Sequence, residues 1–208
     1  MLDGLLETSQ YIHGLLTEAI KEVGAEKVVL GGLSQGCAAV LVALLTWDGE
    51  PLAAVFGFCG WLPLRSHLVD IMESQPLSDE GDVVFGQSDN KKQALDLPAE
   101  AVAWLTEEID LPVASLSPAS KTSLAPNVVR QPSFSKDLPV QMTPIFLAHG
   151  TEDEKVPLRL GYEAKDCLAL MKASVNWREY KGLGHWYSGQ MMGDLGAFLG
   201  EKIDWVGS

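Results

Sequence analysis

Three observations predict an α/β chain with a mainly parallel sheet flanked by helices. Two unbroken apolar runs, Leu52 to Cys59 and Thr143 to Ala148, have the composition of strands buried on both faces. Segments with helical apolar spacing alternate with such runs, the order that builds parallel sheets. A short apolar run, Val28-Val29-Leu30, leads into Gly32-Leu33-Ser34-Gln35-Gly36 and then into an apolar stretch from Cys37 to Leu45, which is strand, tight turn and helix in succession.

Residues 3 to 23 carry apolar side chains at Leu5, Leu6, Ile12, Leu15, Leu16, Ala19, Ile20 and Val23, a helical stripe with Glu7, Glu18, Lys21 and Glu22 on other faces. Gly24 ends that helix. Lys27 to Leu30 is predicted as a strand, and Gln35 to Leu45 as a helix apolar almost all round, closed by Trp47-Asp48-Gly49. After the two buried strands, Val175 to Tyr180 alternates Val, Trp and Tyr with polar residues, which suits an outer strand. Leu158 to Met171 and roughly Tyr187 to Ile203 complete the pattern as helices.

The stretch from about 73 to 139 differs from the rest. It holds Pro76, Pro98, Pro112, Pro118, Pro126, Pro132 and Pro139 and is rich in Ser, with one helix expected near Ala99 to Ile109. It reads as a Pro/Ser-rich insertion between two core strands, a cap or surface segment. At 208 residues the chain is most simply one domain, 1–208, large enough to bury a core without disulfides or a structural metal. The three cysteines, Cys37, Cys59 and Cys167, lie in apolar or helix-like segments and fit no zinc spacing, so they are expected reduced and buried.

A net charge of −13 argues against nucleic acid, whose phosphates need a basic face. The start, Met1-Leu2-Asp3-Gly4-Leu5, has no basic leader, and no run reaches the roughly 18 apolar residues of a membrane span. A cytoplasmic protein with no transmembrane segment is therefore expected.

Gly32-Leu33-Ser34-Gln35-Gly36 has the form of a nucleophile elbow, in which a serine sits on a sharp strand-to-helix bend. Small residues two before and two after the serine are expected because larger ones would collide with the neighbouring strand and helix. A glycine loop with a solvated serine is the other reading. A serine hydroxyl needs a base to take its proton, and a histidine oriented by a carboxylate supplies one. Where acid and then histidine follow the serine, His13, His67 and His149 come too early, and His185 in Gly182-Leu183-Gly184-His185-Trp186 has the right place. The acid candidates are Glu152, Asp153 and Glu154, in the turn after a buried strand. Asp153 is favoured, because an acid at the carboxyl end of a core strand can reach a histidine on the adjacent loop.

Together, Gly31-Gly32-Leu33-Ser34-Gln35-Gly36, Cys59-Gly60-Trp61-Leu62-Pro63-Leu64, His149-Gly150-Thr151-Glu152-Asp153-Glu154-Lys155-Val156-Pro157 and Gly184-His185 resemble the signature segments of the phospholipase/carboxylesterase family, which includes acyl-protein thioesterases. The resemblance implies an α/β-hydrolase-like fold and a serine hydrolase that cleaves carboxylic esters or thioesters through an acyl-enzyme. It implies Ser34 as nucleophile, His185 as base and then acid, Asp153 as its orienter, and the N–H of Gln35 as an oxyanion donor. Trp61 and Leu62 are implied as substrate contacts, with packing alone as the competing role. No metal and no organic cofactor are implied, and the expected partner is an acyl ester or thioester, including a lipid-modified protein.

Family members carry several strands before the elbow, one of them ending in a His-Gly-type loop that donates a second oxyanion N–H. Here one helix precedes the elbow strand, so the fold is expected to be N-terminally shortened. Its elbow strand would then expose an edge that must be covered by the insertion, by Val83-Val84-Phe85 as a substitute strand, or by another copy of the chain in a homodimer. Losing one oxyanion donor typically costs about a hundred- to a thousandfold in turnover. The alternative function is accordingly a weak or inactive relative that binds lipid or acylated partners. Trp186 and Tyr187, after the histidine, make the expected site mouth more aromatic than in many relatives.

Overall fold

A computed structural model describes residues 2–74, 96–112 and 137–203. Within them lie four strands, β1 (Val29–Leu33), β2 (Ala54–Phe58), β3 (Ile145–Gly150) and β4 (Val175–Tyr180), in one sheet of order β1-β2-β3-β4. Every neighbouring pair is parallel, as the sequence predicts. The helices in chain order are α1 (Leu2–Val23), α2 (Gln35–Leu45), α3 (Arg65–Glu73), α4 (Leu97–Glu108), α5 (Pro139–Met142), α6 (Leu158–Leu170) and α7 (Gly189–Lys202).

Alternation along the strands splits the core in two, because successive side chains leave opposite faces of a sheet. Val55, Ile145 and Leu147 meet Leu41 and Leu44 of α2, Leu68 of α3, Leu105 of α4 and Leu168 of α6 in the larger cluster. Ala54, Phe58, Phe146 and Ala148 point the other way and meet Met191, Leu195 and Phe198 of α7. All six residues of β3 are buried, which is why that strand reads as an unbroken apolar run, whereas β4 is buried only at Tyr180. α2 buries eight residues and carries no charge in its first or last turn, as an inner helix should.

Several expectations are adjusted. The apolar stripe of α1 is only partly used: Leu16 is buried, but Leu15 and Val23 stand 48% and 47% exposed. α3, unforeseen, begins directly after Leu64, which holds a left-handed backbone at φ 58. α4 buries Ala101 and Leu105 in the main core. The cysteines are free and buried as expected. Among the described residues nothing pairs with the outer edge of β1, and Val83-Val84-Phe85 lies outside them. No described helix is long and apolar enough to cross a membrane.

Candidate active site

β1 runs straight into Ser34, which caps α2 with φ 56 and ψ −120, a backbone conformation that costs a non-glycine residue on the order of 1–3 kcal/mol. The bend is held by the Ser34 N–H donating to Phe58 O at 2.8 Å and by Ser34 O accepting from the Ala38 N–H at 3.2 Å. The turn needs Gly32: a carbon added there would overlap the Gly36 carbonyl and lie 2.6 Å from the Cys37 nitrogen. Gly36 is different. It is exposed, and an added carbon there would meet nothing within 4 Å, so the expected collision holds two residues before the serine and not two after.

Ser34 Oγ lies 2.9 Å from Nε2 of His185. On the far side of the ring, Nδ1 lies 2.8 Å from Oδ2 and 3.0 Å from Oδ1 of Asp153. An ionised carboxylate only accepts, so Nδ1 carries the proton, and Nε2 is left to accept from the serine hydroxyl. These three residues come from the loops at the carboxyl ends of β1, β3 and β4. Glu152 and Glu154, the other acid candidates, are exposed on the same turn as Asp153. His13 donates instead to Ala43 O, and His67 stacks on Trp104 with ring centroids 5.2 Å apart.

The loop that presents His185 is stitched to the loop that presents Asp153. Glu152 N–H donates to Leu183 O, Gly182 N–H to Thr151 Oγ1, and Thr151 N–H to Tyr180 O, each at 3.0 Å. Gly182 takes a positive φ of 74, and Gly150 lies flat under the Leu183 carbonyl. Asp153 itself is tied down by its own turn, Oδ1 accepting the N–H groups of Lys155 and Val156 at 2.9 Å each. Its side chain is fully enclosed. Burial pushes its carboxyl up, but the Val156 N–H, the His185 ring and the Lys155 N–H together outweigh burial and leave it below the ordinary aspartate value.

The remaining predicted residues divide. Gln35 is the first residue of α2, so its N–H is one of the helix-start donors that no intrahelical carbonyl takes. Gly60 abuts the serine, since a carbon added there would lie 3.1 Å from Ser34 O, and Trp61 beside it is half-buried. Leu62 is 5% exposed within the main core, so it packs the fold and leaves Trp61 as the member of that pair that keeps contact with solvent.

Two neighbours were not singled out for the site from sequence. Cys59, at the end of β2 with φ 49, has its thiol 3.7 Å from Trp186 O. Its sulfur lies within 4.8 Å of Asp153 and His185 ligand atoms, the one such trio among the described residues. Burial first, and the nearby Asp153 carboxylate after it, push this thiol up, so it stays protonated. A cation could use the trio only by taking Asp153 or His185 from each other. The second neighbour, His149, is 1% exposed directly beneath Asp153. Its signal was a histidine four positions before the acid at a strand end.

Residues 3–76 and 122–203 match the sequence model of the phospholipase/carboxylesterase family. Among curated relatives, acyl-protein thioesterase 1 of Gibberella zeae is 22% identical over 202 residues, 97% of this chain and 59% of that protein. Acyl-protein thioesterase 1 of Neurospora crassa is 25% identical over 201 residues, 96% of this chain and 56% of that protein. This chain thus spans under two thirds of the length of these relatives. Among solved structures, SOBER1 of Arabidopsis thaliana superposes with a TM-score of 0.59 at 19% identity, covering 95% of this chain and 64% of that one, a likeness of fold.

Proposed function

Since the chain belongs to the phospholipase/carboxylesterase family, we propose that it is a serine hydrolase that cleaves carboxylic esters or thioesters through an acyl-enzyme. The observation that carries this reading is the continuous line from Ser34 Oγ through both ring nitrogens of His185 to Asp153, at 2.9 and 2.8 Å. In it, His185 Nε2 takes the hydroxyl proton as Ser34 Oγ bonds to the substrate carbonyl carbon. The carbonyl oxygen becomes an oxyanion, facing the Gln35 N–H and the positive start of α2. The protonated ring, steadied by Asp153, gives its proton to the departing alkoxide or thiolate as the carbonyl re-forms. Water then repeats the sequence on the acyl-serine, with the proton returning through the same nitrogen to Ser34.

Incubation with a fluorophosphonate probe tests this, because the probe phosphonylates only an activated serine. The expected result is one label per chain on the Ser34 peptide, absent from the Ser34→Ala variant. A folded, unlabelled native chain would instead favour the reading of a relative that binds lipid or acylated partners without hydrolysis.

The proposal extends to the substrate class, supported by the residues that follow His185. Trp186 and Tyr187 stack with centroids 5.2 Å apart and stand 57% and 46% exposed, immediately after His185. Such a pair is an apolar wall for an acyl chain, so the preferred substrates carry medium or long chains. Trp186→Ser should lower kcat/KM for an octanoyl ester about tenfold while sparing the acetyl ester, the effect of withdrawing roughly 1.5 kcal/mol of apolar contact. Equal losses on both esters would remove this assignment.

A further inference from the structure

His149 plays no part in the proton path above, yet it is the one buried histidine among the described residues. It is 1% exposed at the end of β3. Its Nε2 lies 2.8 Å from Val156 O, a pure acceptor, so Nε2 carries the proton. The same nitrogen is 3.3 Å from Asp153 Oδ2, the oxygen closest to His185 Nδ1. Two imidazoles therefore converge on one carboxylate oxygen, His185 from the solvent side and His149 from within the fold.

The other side of the ring is walled off. A carbon added to Gly161 of α6 would lie 2.6 Å from His149 Nδ1, so that glycine leaves the ring its place. Trp177 of β4 lies against the ring with centroids 6.3 Å apart, and Trp177 is itself packed by Tyr162 at 5.2 Å and anchored by Nε1–H donating to Glu179 at 2.9 Å. Gly161 and Trp177 thus both pack against the ring.

We infer that His149 is a positioning residue: its Nε2–H donates to Val156 O, and with Asp153 Oδ2 3.3 Å from the same nitrogen it fixes the 153–156 turn, and with it the carboxylate, where His185 meets it. This rests on the serine-hydrolase reading, and it assigns a task to a residue that merely filling the core would not require to be a histidine. Its contribution is geometric. Catalytic groups need placement within about 0.5 Å, and a displacement of about 1 Å can cost about a hundredfold in rate.

Three variants test the inference against the unmodified chain, read by steady-state hydrolysis of an activated ester and by the rate of fluorophosphonate labelling. His149→Leu keeps apolar bulk against Trp177 and removes the donor; kcat should fall roughly a hundredfold with KM within about twofold. His149→Gln puts an amide N–H near the lost Nε2–H and should recover about tenfold of that loss. Gly161→Ala keeps the donor but crowds the ring, and should lower kcat about tenfold. Should His149→Leu fail to fold, the Gln and Gly161→Ala variants decide by the same measures. A folded His149→Leu chain with native kcat, a Gln variant no better than Leu, or a Gly161→Ala chain with native kcat would each overturn the inference. An unlabelled native chain would sink the hydrolase reading instead, so the two failures are told apart.

Discussion

His185→Ala should lower kcat for an activated ester by about four orders of magnitude or more while leaving the fold intact. The ring is the only described group within hydrogen-bond reach of Ser34 Oγ on one side and Asp153 on the other, so no neighbour can take over the proton. Its removal costs little structure, because the loop that carries it is held by the Tyr180, Gly182 and Leu183 backbone and not by the imidazole. Residual turnover should come from the Gln35 N–H and from substrate binding alone. Only the neutral ring can accept the proton from Ser34. Asp153 steadies that ring as a carboxylate. Its carboxyl is held below the ordinary aspartate value, chiefly by the N–H groups and ring that overcome its burial, so it stays ionised until the pH is more acid still. By the same sign, the stability it adds is fully present above the ordinary aspartate value near 3.9 and is lost as pH falls through its lower folded value. A His185→Ala chain with more than a hundredth of native activity would remove the ring from the mechanism.

What the sequence revealed and what it hid follow from the range of the interactions involved. β4 was legible to the residue, Val175–Tyr180, because its apolar Val175 and Trp177 alternate with polar residues in a strand that is mostly only partly covered. β3 was legible because both its faces are covered. The elbow was legible as local chemistry, five residues between a strand and an apolar helix. α3 was not. It is nine residues long with Leu68 as its only buried residue, and it opens with Arg65-Ser66-His67 straight after a Trp-Leu-Pro segment that reads as loop. Gly36 was misread because the local rule assumes a neighbour on that side, and β1 is here the outermost described strand. Of the two roles open for Leu62 the structure shows packing, a choice the motif's local sequence leaves undecided because it does not say which residue faces the core. The role of His149 depends on Gly161, Trp177 and Val156, which sequence order cannot place against one ring.

Gly150→Ala should separate the two loops that carry Asp153 and His185, and so cost activity out of proportion to its single added carbon. That carbon would overlap the Leu183 carbonyl oxygen and lie 2.7 Å from the Gly184 oxygen. Both atoms are backbone, immediately before His185, so no side-chain rotation can relieve the contact. The loop must lift, and as it lifts it stretches the Glu152 N–H to Leu183 O bond that ties it to the Asp153 turn. A shift of about 1 Å at this point moves the His185 ring off both its partners, for which a loss of about a hundredfold in kcat is expected. Overpacking of this kind also destabilises, by about 1–3 kcal/mol, which for a chain of this size lowers Tm by several degrees. Gly196→Ala supplies the control, since a carbon there, on α7, meets nothing within 4 Å. Helix propensity predicts that it stabilises by up to about 1 kcal/mol with native turnover. If Gly150→Ala kept native kcat, or if both variants lost activity alike, the close seating of one loop on the other would not be what brings the histidine to the serine.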